Sequence, residues 1–184
     1  MVLLGSLSGA CFSRTPPPSQ QVIPIYSKQS GRLEALMSDR DGDGKLDTRA
    51  LMDGARLTRI EIDRNADGRP DRWEYYASSG ADAPAAPMIE RAEEADGGDG
   101  RITRREFYAN GVIDRAEEDT DADGRVDKWE TYANGSLRSI DLDLTGAGRP
   151  SQRLNYGARG NVAGVETDAD GDGVFAPVPT EDRP

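Results

Sequence analysis

The chain has no histidine and one cysteine, Cys11. The first absence removes the usual general base at neutral pH and the commonest zinc ligand. The second excludes an internal disulfide and a thiolate metal cluster. Aromatic residues are scarce, at 6%, and hydrophobic residues reach only 35%, against about 45–50% apolar (Gly included) in an ordinary globular domain. With 21 Gly and 11 Pro besides, a large continuous core is out of reach, and a repeat architecture or disorder is the default. Basic charge is also short. There are 23 Lys and Arg against 34 Asp and Glu, a net charge of −11. That balance argues against nucleic acid and anionic membrane surfaces as direct partners and suits cation binding. There is no Ser or Cys nucleophile in a recognisable setting and no phosphate-cradling Gly loop, so the expectation is a protein that is not an enzyme.

What is present is repetition. Gly44, Gly68, Gly100, Gly124, Gly148 and Gly173 each close an acidic run, and the steps 44 to 68, 100 to 124 and 124 to 148 are all 24 residues. The longer step from 68 to 100 holds a Ser/Ala/Pro-rich insertion at 78–87. A fixed internal period marks an array of similar units. The unit reads D-x-[DN]-x-D-G-[RK]-x-D, then a segment such as "RWEYY" (72–76) or "KWETY" (128–132), then a turn, then a mixed run such as "SLRSIDLD" (136–143).

Asn-Gly at 110–111 and 134–135 is a strong hairpin signal, because both residues tolerate the positive φ of a tight type I′ turn. The flanks are rich in Trp, Tyr, Thr, Ile and Leu, which suit strands. The expected fold is therefore mainly β: an array of about five β-hairpin repeats joined by acidic loops. The alternative is a short helix on each side of every loop, supported by spacings of three such as Leu57/Ile60 and Trp129/Tyr132. Two helices of about five residues each would be marginal, since isolated helices under about 12–15 residues are unstable. Trp73, Tyr76, Trp129 and Tyr132 are expected to form the small apolar core of the hairpins. The basic residues Arg69, Arg101, Arg125 and Arg149 are expected as solvated counter-charges.

The acidic loops crowd like charges. At ~4 Å and an effective dielectric of about 20, each pair of carboxylates costs on the order of 4 kcal/mol. A cation that shares the loop removes that cost. The loops resemble the EF-hand calcium loop, which takes ligands from positions 1, 3, 5, 7 (a backbone carbonyl), 9 and 12, with Gly at 6. The resemblance implies two full sets. One is Asp63, Asn65, Asp67, Arg69, Asp71 and Glu74; the other is Asp119, Asp121, Asp123, Arg125, Asp127 and Glu130. A third loop offers Asp39, Asp41, Asp43 and Asp47 but has Ala50 at position 12. The loops around Gly100, Gly148 and Gly173 lack further ligands and are expected to be weak or empty. The implied cofactor is Ca²⁺. The short period is also similar to thrombospondin type 3 repeats and to bacterial lipoproteins with EF-hand-like repeats.

The start, "MVLLGSLSGAC", resembles the end of a bacterial lipoprotein signal peptide, with "LSGAC" as lipobox and Cys11 as the lipidated residue. Its apolar stretch is far below the about 20 residues that span a bilayer. The implied organisation is a signal peptide and lipobox at 1–11, a Pro-rich tether at 12–27, a repeat domain at 28–173 and a Pro-rich acidic tail at 174–184. The expected protein is a calcium-binding, extracytoplasmic structural or interaction module of the cell envelope. Calcium is its one expected ligand, and it meets the membrane only through a lipid anchor. A helical EF-hand sensor or buffer is the alternative function.

Overall fold

A computed structural model describes residues 22–77, 86–96 and 98–178. Cys11, the lipobox, the tether up to residue 21, most of the insertion (78–85) and the tail beyond 178 lie outside the described residues.

Thirteen strands follow one another. The first seven are β1 (Val22–Tyr26), β2 (Leu33–Ser38), β3 (Thr48–Asp53), β4 (Arg56–Ile62), β5 (Arg72–Tyr76), β6 (Ile89–Glu94) and β7 (Arg104–Ala109). The rest are β8 (Val112–Glu118), β9 (Lys128–Ala133), β10 (Ser136–Leu142), β11 (Gln152–Tyr156), β12 (Val162–Thr167) and β13 (Ala176–Pro177). They pair in chain order into one 13-stranded antiparallel sheet. No helix occurs among the described residues, so the helix-loop-helix alternative is overturned. The apolar spacings of three that suggested it fall inside strands or across bulges. The sheet starts at Val22, within the segment assigned to the tether, and runs to Pro177, beyond the repeat boundary at 173.

Connections alternate between two rims. On one rim lie the hairpin connections, tight between Asp53 and Arg56, between Ala109 and Val112 and between Ala133 and Ser136. Asn110 and Gly111 have φ of 52° and 75°, and Asn134 and Gly135 have 51° and 75°, as the type I′ turn requires. Six pairings on this rim carry a register shift beside the turn. Such bulges raise local twist. On the other rim lie all six acidic loops, each linking two neighbouring strands.

The sheet is a single layer whose substantial contacts join sequential strands. The buried apolar residues are small apart from one: Ala35, Ile62, Ala92, Ala95 and Ala116. The strand register shows what stands in for a core. One face carries, in successive rows, Arg72, Glu94, Arg104, Glu118 and Lys128, then Glu74, Ala92, Glu106, Ala116 and Glu130. The arginines bridge strands two apart. Arg72 on β5 donates to Glu106 on β7 at 3.0 Å, crossing over Ala92 on β6. Arg104 on β7 donates to Glu130 on β9 at 2.6 Å, crossing over Ala116 on β8. Arg104 also holds Glu118 at 2.8 Å, and Lys128 sits 2.9 Å from both Glu118 and Glu130. Alanine leaves the gap through which the longer side chains meet.

Tyr76, Tyr108 and Tyr132 close this ladder, their hydroxyls donating to Glu74, Glu106 and Glu130 at 3.0, 2.8 and 2.7 Å. Tyr76 and Tyr132 therefore belong to a charged network instead of an apolar core. On the opposite face a stripe alternates cation and ring: Arg59, Tyr75, Arg91, Phe107, Arg115. Arg91 lies 4.2 Å from the Tyr75 ring centre and Arg115 lies 3.6 Å from that of Phe107, within cation–π range.

Candidate metal sites on the loop rim

The loops from Asp39, Asp63 and Asp119 are organised by their own carboxylates. The first Asp accepts the N–H of the Gly five residues on: Gly44 donates to Asp39 at 2.9 Å, Gly68 to Asp63 at 2.8 Å and Gly124 to Asp119 at 2.8 Å. The third-position side chains Asp41, Asn65 and Asp121 accept the N–H two residues on, at 3.0, 2.9 and 3.1 Å. The ninth-position Asp47, Asp71 and Asp127 reach back to accept the N–H of Arg40, Arg64 and Thr120 at 3.0, 2.9 and 3.1 Å. Asp, Asn and Gly are needed here because short side-chain oxygens satisfy turn amides and the chain passes through left-handed conformations. Ala66 and Ala122 adopt that region without being glycine, at φ of 58° and 60°.

The loops also register against one another. Asp63 N–H donates to the Asp47 carbonyl at 2.8 Å, Asp119 to Thr103 at 2.8 Å and Asp143 to Asp127 at 2.8 Å. Consecutive loops thus stand two strands apart, a pitch of about 9.5 Å. Arg101 and Arg149 are not free counter-charges: their guanidiniums donate to the Ala122 and Gly171 carbonyls of the next loop.

Three loops gather carboxylate oxygens within 4.8 Å of one another: Asp39, Asp41 and Asp43; Asp119, Asp121 and Asp127; Asp168, Asp170 and Asp172. In each, the first Asp is buried, at 4%, 6% and 7% exposure. These groups can hold a metal ion. Their donors are all hard oxygens, which fits Ca²⁺ or Mg²⁺ and not a soft metal. The third group lies in a loop expected to be weak. The loop from Asp63 has Asn65 where the others have a third carboxylate. In it, Asp71 Oδ1 is buried without a hydrogen-bond partner, 3.5 Å from Arg64 Nε. Asp67 and Asp123 each accept the N–H of the following basic residue, Arg69 and Arg125, at 2.8 Å.

The structure does not bring Glu74 and Glu130 into these groups. Both sit on the ion face of β5 and β9, beyond the loop. Glu74 faces Arg72 Nε at 2.9 Å and Tyr76. Glu130 is 7% exposed and engaged by Arg104, Lys128 and Tyr132. Burial would push its carboxyl up, but those three donors outweigh burial and hold it at about 2. In the loop around Gly148, a similar depression of Asp143 to about 2 comes from the Thr145 amide and hydroxyl and the Gly148 amide, against desolvation. Turn hydrogen bonds alone thus favour the ionised form of that carboxylate further.

The ion ladder is the feature that reasoning from metal spacing missed. Its signal was available in the repeated [RK]-x-E-x-Y of "RWEYY", "RREFY" and "KWETY". Between the first two loops and this ladder, Arg40, Asp47, Asp63, Arg64, Arg72 and Glu94 line an open recess of about 540 Å³ that carries both signs of charge.

No family model matches the chain, and no curated protein matches it. Solved structures with local likeness include the GtfA/B complex bound to UDP and GlcNAc (TM-score 0.38, 12% identity, 60% of this chain and 22% of that one). Accessory secretory protein 1, 2 and 3 of Streptococcus pneumoniae gives a TM-score of 0.38 at 12% identity, over 70% of this chain and 20% of that one. TarM gives 0.36 at 12% identity, over 65% and 21%. This chain spans about a fifth of each.

Proposed function

We propose that the chain is a calcium-binding, extracytoplasmic repeat protein whose ions rigidify the loop rim of the sheet, serving as a structural or interaction module. The observation that carries this is the row of acidic loops on one rim, three of which group three carboxylates around a buried Asp. An ion in such a loop neutralises the crowded charges and ties β-strands through their connection, so binding energy becomes folding energy. With Glu74 and Glu130 committed to the sheet, water fills more of the coordination shell, and affinity falls toward the 10⁻⁴–10⁻³ M typical of extracellular modules. The role has no catalytic step. Attachment through a lipid on Cys11 completes the proposal and places the sheet at a membrane surface without a spanning segment.

Calorimetric titration of Ca²⁺ into chelator-stripped protein tests the metal reading. Three sites are expected, with one lost in Asp119→Asn/Asp121→Asn. Glu130→Gln is expected to keep all three while lowering stability. No heat, and no change in melting temperature on adding Ca²⁺, would sink the reading. Mass spectrometry of the membrane fraction, with Cys11→Ser as control, tests the lipid.

A further inference from the structure

The interior of this sheet is a succession of near-equivalent hairpins, each pairing with the next. Such an array is self-complementary at its ends, because a second copy could add its terminal strand as the next repeat. The first strand has the composition for that. β1 reads "VIPIY", all five residues are exposed, and Val22, Ile23, Ile25 and Tyr26 are 41–58% accessible. A long apolar edge strand is a template for strand addition.

The register decides which backbone groups the edges present. In an antiparallel sheet, the N–H and C=O of successive residues point to alternate sides of the strand. Asp63 N–H bonds to the Asp47 carbonyl, so Thr48 and Ala50 point their groups to β2. Carried across the pairs Thr48↔Ser38, Ala50↔Leu36 and then Met37↔Ile23, Ala35↔Ile25, the alternation turns Ile23 and Ile25 inward. Val22, Pro24 and Tyr26 then face outward. The proline stands at the middle outward position, where the missing N–H interrupts any incoming ladder. The far edge is the two-residue β13, and it too turns a proline outward. Val178 N–H bonds to the Val165 carbonyl at 2.9 Å and points inward, so its neighbour Pro177, opposite Glu166, faces outward.

We propose that Pro24 and Pro177 are strand-addition stops that keep two copies of this chain from joining sheet edge to sheet edge. Neither proline occupies a position that owes an N–H to its own sheet, so each can be replaced without breaking an internal hydrogen bond. Both stops act whether or not the acidic loops hold a metal ion.

The test compares the full chain with Pro24→Val, Pro177→Val and the double variant by sedimentation velocity over a hundredfold concentration range, in Ca²⁺ and in chelator. The wild type is expected to stay monomeric. Pro24→Val is expected to self-associate at concentrations at least tenfold below any wild-type association, and the double variant to form longer species. Hydrogen exchange supplies a second readout: the Val22 and Tyr26 amides are expected to be unprotected in the wild type and protected in associated Pro24→Val. Circular dichroism confirms that each variant keeps the sheet. Folded variants that remain monomeric, or a wild type that already pairs through β1, would overturn the proposal.

Discussion

The ion face of the sheet is made of two materials. Between β5 and β9 it is charged, with Arg72, Arg104 and Lys128 interleaved with five glutamates. On either side the second row turns apolar, with Ile60, Ala50 and Leu36 toward the start and Ile140, Leu154 and Val165 toward the end, while the first row passes through Ile62 and Leu142 to the uncharged polar Thr48, Ser38, Gln152 and Thr167. The backbone ladder is continuous through both. What differs is reach. An aliphatic side chain touches the strand beside it, whereas Arg72 and Arg104 grip a carboxylate two strands away over an alanine. Directional ion pairs also fix which strand faces which, because a one-residue slip would move every charge to the other face. A single-layer sheet has little apolar burial to enforce register, so the centre enforces it with charge.

The largest expected break in this comparison is Arg104→Met. It removes the shared partner of Glu106, Glu118 and Glu130, but Arg72, Lys128 and Tyr132 still engage them, so the cost is about 2–3 kcal/mol, below that of a fully stranded buried charge. Urea unfolding measures it. In the apolar flank, Leu154→Ala should cost only about 1–2 kcal/mol, below the range for a fully buried leucine because the site is half-exposed. Equal costs would mean that the two regions are held alike.

Alkaline pH sharpens the contrast further. Burial first, and then the adjacent glutamates, push Tyr76, Tyr108 and Tyr132 up to about 12 from an ordinary 10. Stability from these raised groups is complete below pH 10 and is lost as pH rises toward 12. Melting temperature should therefore fall across that window, and Tyr108→Phe/Tyr132→Phe should flatten the fall. The effect is modest, because solvent reaches part of each network. Smallest is Ala122→Gly on the loop rim. It relieves a left-handed alanine and should stabilise by about 0.5–1 kcal/mol, offset in part by the freedom glycine gains when unfolded.

Much of the fold was legible beforehand. Asn110-Gly111 and Asn134-Gly135 specify tight turns by local sterics alone, and the 24-residue period sets the spacing of the hairpins. The acidic turns from Asp39, Asp63 and Asp119 were equally legible as turns, because Asp–amide bonds there involve only neighbours in sequence; which loops converge three carboxylates was not, since the Asp63 loop, expected as a full set, forms no such group and the Asp168 loop, expected to be weak, does. Nor was position 12. Glu130 lies three residues past Asp127, and spacing alone assigns it to the loop. It belongs instead to a strand, because Lys128 to Thr131 pair with both neighbouring strands and turn that side chain onto the ion face.

The sequence by itself determined the strand-and-turn grammar, the acidic character of the loops and the absence of a large core. These follow from composition, from positive-φ tolerance and from contacts a few residues long. Only the tertiary structure decided that all six acidic loops share one rim, that Arg72 and Arg104 reach two strands along, and that Pro24 and Pro177 face outward. Those facts depend on the register of strands far apart in the chain, and register is a property of the whole ladder of hydrogen bonds.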